Sequence, residues 1–200
     1  MMNPSDSPNS SASPSSENAS GSAAMHHGYP VQDISRYMWL AGGKEKDLYR
    51  ISRKQAAAVS KNGDLRRIQE EVKTLRALRK YGAPTITCGD VQMFRRGDRV
   101  SPGFIVDWVE HSLDSNANPV RFEAALRQLR ADQRVLATRD LDKIESVIRT
   151  HGGVLDLQVL LDPLGHLRVL DPRGKILETA GSFIMIQRWR TALQPLQNRR

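Results

Sequence analysis

The chain has 200 residues, room for one domain of ordinary size with a tail, and its 30 Lys and Arg against 22 Asp and Glu give a formal net charge of +8. A lone cysteine, Cys88, excludes an intramolecular disulfide framework and suits a reducing compartment, and five histidines without ligand spacing give no zinc site. No segment approaches membrane-spanning length, the N-terminus lacks the basic start and apolar run of a secretory signal, and a 6% aromatic content with scattered arginines argues against a nucleic-acid partner.

The first 24 residues hold nine Ser, three Pro and three Asn and no Lys or Arg. Such a composition cannot bury enough apolar surface to offset chain entropy, so residues 1–28 are expected to be a disordered segment preceding a fold that starts near Tyr29. All the positive charge follows position 35. It reads either as solvated helix faces or as a surface for a partner rich in phosphate or acid.

Three short strands are expected between Tyr37 and Lys61. Tyr37 to Ala41 is the first, Leu48 to Ile51 the second, and Ala56 to Lys61 the third, although Ala56 to Ala58 are equally compatible with helix. Gly42, Gly43 and Lys44 join the first two. Paired glycines let backbone N–H groups approach phosphate oxygens, but Gly-Gly is also an ordinary hairpin turn. Asn62-Gly-Asp64 then starts a helix with Asp64 as N-cap, running to about Tyr81 on an apolar stripe of Leu65, Ile68, Val72, Leu75 and Leu78. Glu71 lies on that stripe or at its edge. A carboxylate there needs a partner, which is either Lys61 on the preceding strand or Arg67 or Arg79 along the helix.

Thr85 to Thr87 and Val91 to Phe94 are expected to flank a hairpin turn at Cys88-Gly-Asp90, with an apolar strand from Gly103 to Glu110 following. Polar residues 112–118 lead into helical pattern from Val120 to Thr150. Phe122, Leu126 and Leu129 mark one stretch and Val135, Leu136, Leu141, Ile144, Val147 and Ile148 the next, with a break near Ala131 to Arg134. A final helix from Ser182 to Leu196 carries Ile184, Ile186, Trp189 and Leu193.

Between these helices lies the most informative segment. Leu157 to Leu161 and Leu167 to Leu170 read as two strands joined by the turn Asp162-Pro-Leu-Gly165. An antiparallel hairpin brings its outer ends together, so Asp156 and Asp171 should be neighbours. Two carboxylates there are costly unless a cation or a reaction uses them, although on a plain β-meander reading Asp171 is only a turn residue.

The order glycine turn, lysine strand, glutamate helix, two strands, connector and carboxylate hairpin resembles the protein kinases. Asp156-Leu157-Gln158 followed by three apolar residues is similar to the kinase catalytic segment with three residues deleted and Gln in place of Asn. Asp171-Pro-Arg-Gly174 stands where Asp-Phe-Gly is expected. The full glycine-rich loop, the His-Arg before the catalytic aspartate and the activation segment are absent. Length, the Ser-rich start and the Asp-Leu-Gln motif are most similar to the HopBF-type type III effectors.

The resemblance implies an α+β, two-lobed fold, with a β-rich N-lobe and hinge at 29–110 and a reduced helical C-lobe at 111–200. It implies ATP and Mg²⁺ as ligands. Lys61, or Lys54 if the third strand is set in another register, would hold the phosphates, oriented by Glu71, and Asp156 would orient the acceptor hydroxyl. Asp171 and Gln158 would hold magnesium, and backbone from Ile105 to Val109, with Val106 and Trp108 lining the site, would take adenine. Gly42, Gly43 and Lys44 would cover the phosphates, with Lys46 a further candidate. Residues 1–28 would serve secretion from a bacterium. The protein partner would be a host protein in the host cytoplasm, the Hsp ninety chaperone being the candidate. A small-molecule phosphotransferase and a non-catalytic host-binding effector stay open.

Overall fold

Alternation of side chains along five strands builds one face of the first lobe. The computed structural model describes residues 25–152, 154, 156–173 and 180–194, and these form an α+β architecture of two lobes. The first lobe contains β1 (Met25–His26), β2 (Tyr29–Asp33), β3 (Met38–Gly42), β4 (Lys46–Arg50), β5 (Gln55–Ser60), α1 (Leu65–Lys80), β6 (Cys88–Arg96) and β7 (Arg99–Asp107). Its seven strands lie in the order β1-β2-β6-β7-β5-β4-β3, and β2 runs parallel to β6.

β5 settles the ambiguity of the alanine run. It sits between β4 and β7, where both faces are covered and only small side chains fit, and Ala56, Ala57 and Ala58 are all buried. Ala56 and Ala58 face α1 with Phe104 and Val106, whereas Ala57 and Val59 face Ile34, Tyr49 and Phe94 on the opposite side. Gly103 of β7 is required by this closeness, because a Cβ there would lie 2.3 Å from the Ala58 carbonyl oxygen.

Helix α1 starts as its sequence dictates, with the Asp64 carboxylate accepting from the Arg67 amide at 3.0 Å, and it buries Ile68, Glu71, Val72, Leu75 and Leu78. The expected turn at Cys88-Gly-Asp90 is not one. These residues begin β6, and the register against β7 shifts between Cys88 and Val91, so the polar triplet marks a bulge inside a strand. The hairpin turns instead at Gly97, and β7 starts four residues before the expected strand.

The second lobe contains β8 (Leu113–Asp114), α2 (Pro119–Gln128), α3 (Ala131–His151), β9 (Asp156–Leu161), β10 (Leu167–Arg173) and α4 (Ala180–Leu193). β8, β9 and β10 form a three-stranded sheet with β9 in the centre. The break between α2 and α3 comes earlier than the sequence suggested, at Leu129 and Arg130. There Arg134 donates to the Arg127 and Leu129 carbonyls left open by α2, and the Arg130 amide donates to the Gln133 side chain. Phe122, Leu141, Ile144 and Trp189 fill the core. Val135 and Ile184, expected on core stripes, are 67% and 64% exposed.

The β9–β10 hairpin forms as expected, with Leu167 opposite Leu161. The Asp162 carboxylate accepts from the amides of Leu164 and His166 and from Arg168. Gly165 adopts φ +95°, and a Cβ there would lie 2.6 Å from Cβ of Gln133. The lobes are joined at the exit of α1. Val169 of β10 donates to the Pro84 carbonyl at 2.8 Å and accepts from the Ile86 amide at 3.0 Å. Gly174, the end of α4 expected at Leu196 and the segment 1–24 lie outside the described residues.

Candidate active site

A cleft of about 290 Å³ lies between the lobes. Its roof is the turn between β3 and β4, with Gly42, Gly43 and Lys44; its walls include Leu48, Ala58 and Val106, and its floor Leu160 and Leu170. Trp108 and Val109 border it on the connector side, and Glu71, Asp114, Gln158 and Asp171 supply its polar end. An apolar slot with a few convergent polar groups is the usual form of a small-molecule site.

One ammonium group ties the polar end together. Nζ of Lys46 donates to Oε1 of Glu71 at 2.5 Å and to Oδ1 of Asp171 at 2.8 Å, and it lies 5.6 Å from the centroid of the Phe104 ring. Glu71 reaches this point because α1 packs its stripe against the sheet, and its side chain is 6% exposed. Loss of hydration raises the Glu71 carboxyl from 4.5 to about 7, despite the Lys46 charge pulling it down; the Asp171 charge adds to the rise. Asp171 reaches it through an irregularity. The β10 register slips between Leu170 and Arg173, and Asp171 holds φ +40°, a left-handed conformation costly for a side chain bearing a Cβ.

The lysine of this site is not Lys61. Lys61 continues the Ala57–Val59 face of β5, on the far side of the sheet from α1, where its Nζ meets Asp47 at 3.3 Å and donates to the Gly43 carbonyl. The expected Lys61–Glu71 pair is therefore replaced by Lys46–Glu71. Lys46 lies opposite Ser60 in the ladder and beside Ala58, and it projects to the α1 side with Leu48. Glu71 does not pair with Arg67 or Arg79 either. Arg67 pairs with Glu45 of the glycine turn, and Arg79 donates to Thr85 and Thr87.

The register slip sets Asp156 opposite Arg173 and not Asp171, and Asp156 is not among the residues that line the cleft, although the charges of both aspartates act on Asp114. At the open end of the hairpin, Oδ2 of Asp156 accepts from Nε2 of Gln158 at 3.0 Å. That bond leaves Oε1 of Gln158 as its available oxygen. Burial raises the Asp114 carboxyl, and the charges of Asp171 and Asp156 raise it further. Asp114 was missed in the sequence because it looked like one polar residue of a connector.

Among the described residues no group of three His, Cys, Asp or Glu side chains is arranged as a metal cage. Asp171 and Gln158 do line one cleft with Asp114, whose carboxyl the Asp171 charge raises, a donor set that suits a hard cation completed by phosphate and water.

On the connector, the Asp107 and Trp108 amides are already bonded, to Thr87 and Lys54, so neither is available to a ligand. Nε1 of Trp108 is buried with no partner among the described residues. Cys88 has its thiol raised by burial, which fits packing and not nucleophilic chemistry. No helix among the described residues is long and apolar enough to cross a membrane. No protein-family model matches the chain, and no curated protein matches it with significance.

Proposed function

We propose that the protein is an ATP-dependent phosphotransferase of the protein-kinase type, and that Lys46 is its phosphate-binding lysine. The observation that supports this reading is the convergence of Lys46, Glu71 and Asp171 at the end of the cleft beneath a glycine turn. A plain meander gives no reason to place one ammonium between two carboxylates from a helix and a distant hairpin.

Phosphoryl transfer asks the protein mainly for positioning and charge. The adenine would lie between Leu48, Ala58 and Val106 above and Leu160 below, against the Val109 backbone. Lys46 would move its charge onto the α- and β-phosphates while Glu71 keeps it in place. Magnesium, held by Asp171 and Gln158, would neutralise charge on the β- and γ-phosphates. Asp156, oriented by the Gln158 amide, would hold the acceptor hydroxyl and take its proton as the γ-phosphoryl group passes to that oxygen and ADP leaves. Glu45 and Arg67 pair at the roof, and this contact would hold the glycine turn against α1.

The acceptor is proposed to be a serine or threonine of a host protein, with the Hsp ninety chaperone as the candidate and secretion by a bacterium as the route. This part rests on the sequence resemblance. The test is incubation of purified protein with Mg²⁺ and labelled ATP in a eukaryotic lysate. Labelling should disappear in Lys46→Ala and persist in Lys61→Ala. The reverse order would return the assignment to Lys61, and no labelling by the wild-type protein would leave a binding effector.

A further inference from the structure

The face of the first-lobe sheet turned away from α1 carries a second concavity, of about 400 Å³, which the cleft does not use. Its floor is apolar and fully buried at Ile34 and Phe94, and its rim carries Lys61, Arg96 and Arg99. Strand alternation puts them together: Phe94 and Arg96 on β6, Arg99 and Ser101 on β7, and Val59 then Lys61 along β5 share this face.

Arg96 and Arg99 stand directly opposite each other in the β6–β7 ladder. Like charges at such a position repel and destabilise the hairpin unless an anion neutralises them. Among the described residues neither has a carboxylate partner; the one acid at the rim, Asp47, is held by Lys61 at 3.3 Å. Both guanidinium groups are nevertheless positioned. Nη1 of Arg96 donates to the Tyr49 hydroxyl at 3.0 Å with the guanidinium carbon 5.0 Å from the ring centroid, and Nε of Arg99 donates to Oγ of Ser101 at 3.1 Å. Each contact uses one N–H group, and a guanidinium has five.

We propose that this concavity is a phosphoserine-binding site. Two planar guanidinium forks fixed by their own hydrogen bonds, with an ammonium beside them, match the double negative charge and the paired acceptor oxygens of a phosphomonoester. The apolar floor accommodates the peptide carrying it. One source of that group is within the chain. Residues 1–24 contain nine serines and no Lys or Arg, and they enter the fold at β1, where Met25 pairs with Pro30. Pro30 lies about 13 Å along the chain from Ile34, which follows β2 and forms part of the floor, and the residues from Ser13 to Met25 can span up to about 40 Å, so the reach is sufficient. The other source is a phosphoserine on a separate protein.

The experiment uses the full chain and a synthetic peptide with the sequence of residues 1–24, with or without phosphate on Ser13, titrated by fluorescence anisotropy without ATP. Because the phosphate is already installed, the result does not depend on transfer in the cleft. Binding should be at least about tenfold tighter with the phosphate, and that preference should vanish in the Arg96→Ala/Arg99→Ala double variant. The Arg96→Lys/Arg99→Lys variant keeps the charge and loses the forks, so it should fall between the two, and it serves if the alanine variant does not fold. Equal binding of the two peptides, or an undiminished preference in both variants, overturns the proposal. A full chain carrying phosphoserine at position 13, introduced by genetic-code expansion, separates the sources. Loss of binding to added phosphopeptide places the site's own segment in it, and unchanged binding assigns it to a partner protein.

Discussion

Glu71→Gln removes one buried charge and leaves the shape of the cleft unchanged. The Glu71 carboxyl rises from 4.5 to about 7 because burial strips its water, so the folded chain binds this proton more tightly than the unfolded chain does. Stability should therefore fall as pH rises from about 4.5 to about 7 and then level off. At about 1.4 kcal/mol per pH unit, the whole window corresponds to about 3 kcal/mol. Glutamine has no proton to lose. Near pH 5 the variant and the wild type should be close in stability, and near pH 8 the variant should be more stable by up to about 3 kcal/mol. Urea unfolding of both proteins at the two pH values measures this, and taking the difference between them cancels the titration of the groups not coupled to Glu71. The same variant should lose phosphoryl transfer, since a neutral amide holds Lys46 less firmly. A wild type that is more stable than the variant at both pH values would refute the reasoning. It would mean that the Lys46 attraction outweighs desolvation and that Glu71 stays ionised well below neutrality.

Three further outcomes are expected. Asp171→Ala should weaken Mg·ATP binding and turnover together, whereas Asp156→Ala should spare binding and cut turnover by about 10²-fold or more; calorimetric titration beside a transfer assay separates them. Asp162→Ala should leave nucleotide binding untouched and lower stability by about 1–3 kcal/mol in urea unfolding, because its buried carboxylate accepts two turn amides and Arg168. Gly165→Ala should cost about 2 kcal/mol or more, since both its φ of +95° and the 2.6 Å approach of Gln133 oppose a Cβ; full stability in that variant would show that the α3–hairpin contact relaxes freely.

The parts of the site carried by regular periodicity were legible in the sequence. Glu71 is found from the three-and-four spacing of α1, and the β9–β10 hairpin from its strong turn; the slip that sets Asp156 opposite Arg173 leaves no mark in the alternation. The lysine was not found, for a reason of parity. Lys61 is the nearest lysine before the helix, but it shares a face with Val59 and so points away from α1. Lys46 shares a face with Leu48, a signal present in the alternation of β4 and hidden by its place beside the glycine turn. Cys88-Gly-Asp90 failed because a bulge and a turn use the same residues, and only the opposite strand distinguishes them. Val135 and Ile184 failed because a helix stripe drifts around a helix that touches its neighbours over part of its length. β1 and β2 were not anticipated, since β2 gains its partner from β6, far along the chain, and β1 in turn pairs with β2.

The two main-chain hydrogen bonds between Pro84, Ile86 and Val169 have a mechanical meaning for the cleft. They lie two residues from Asp171 and a few residues beyond the end of the helix that carries Glu71. Asp171 is thus fastened close to the seam, like a page sewn near the spine, and α1 carries Glu71 from the same point back into the first lobe. When the lobes part to admit or release a ligand, the gap must widen at the glycine turn and stay narrow at the seam. Lys46 and Glu71 both belong to the first lobe and Asp171 to the second, so opening would part Asp171 from the other two by an amount that the seam keeps small.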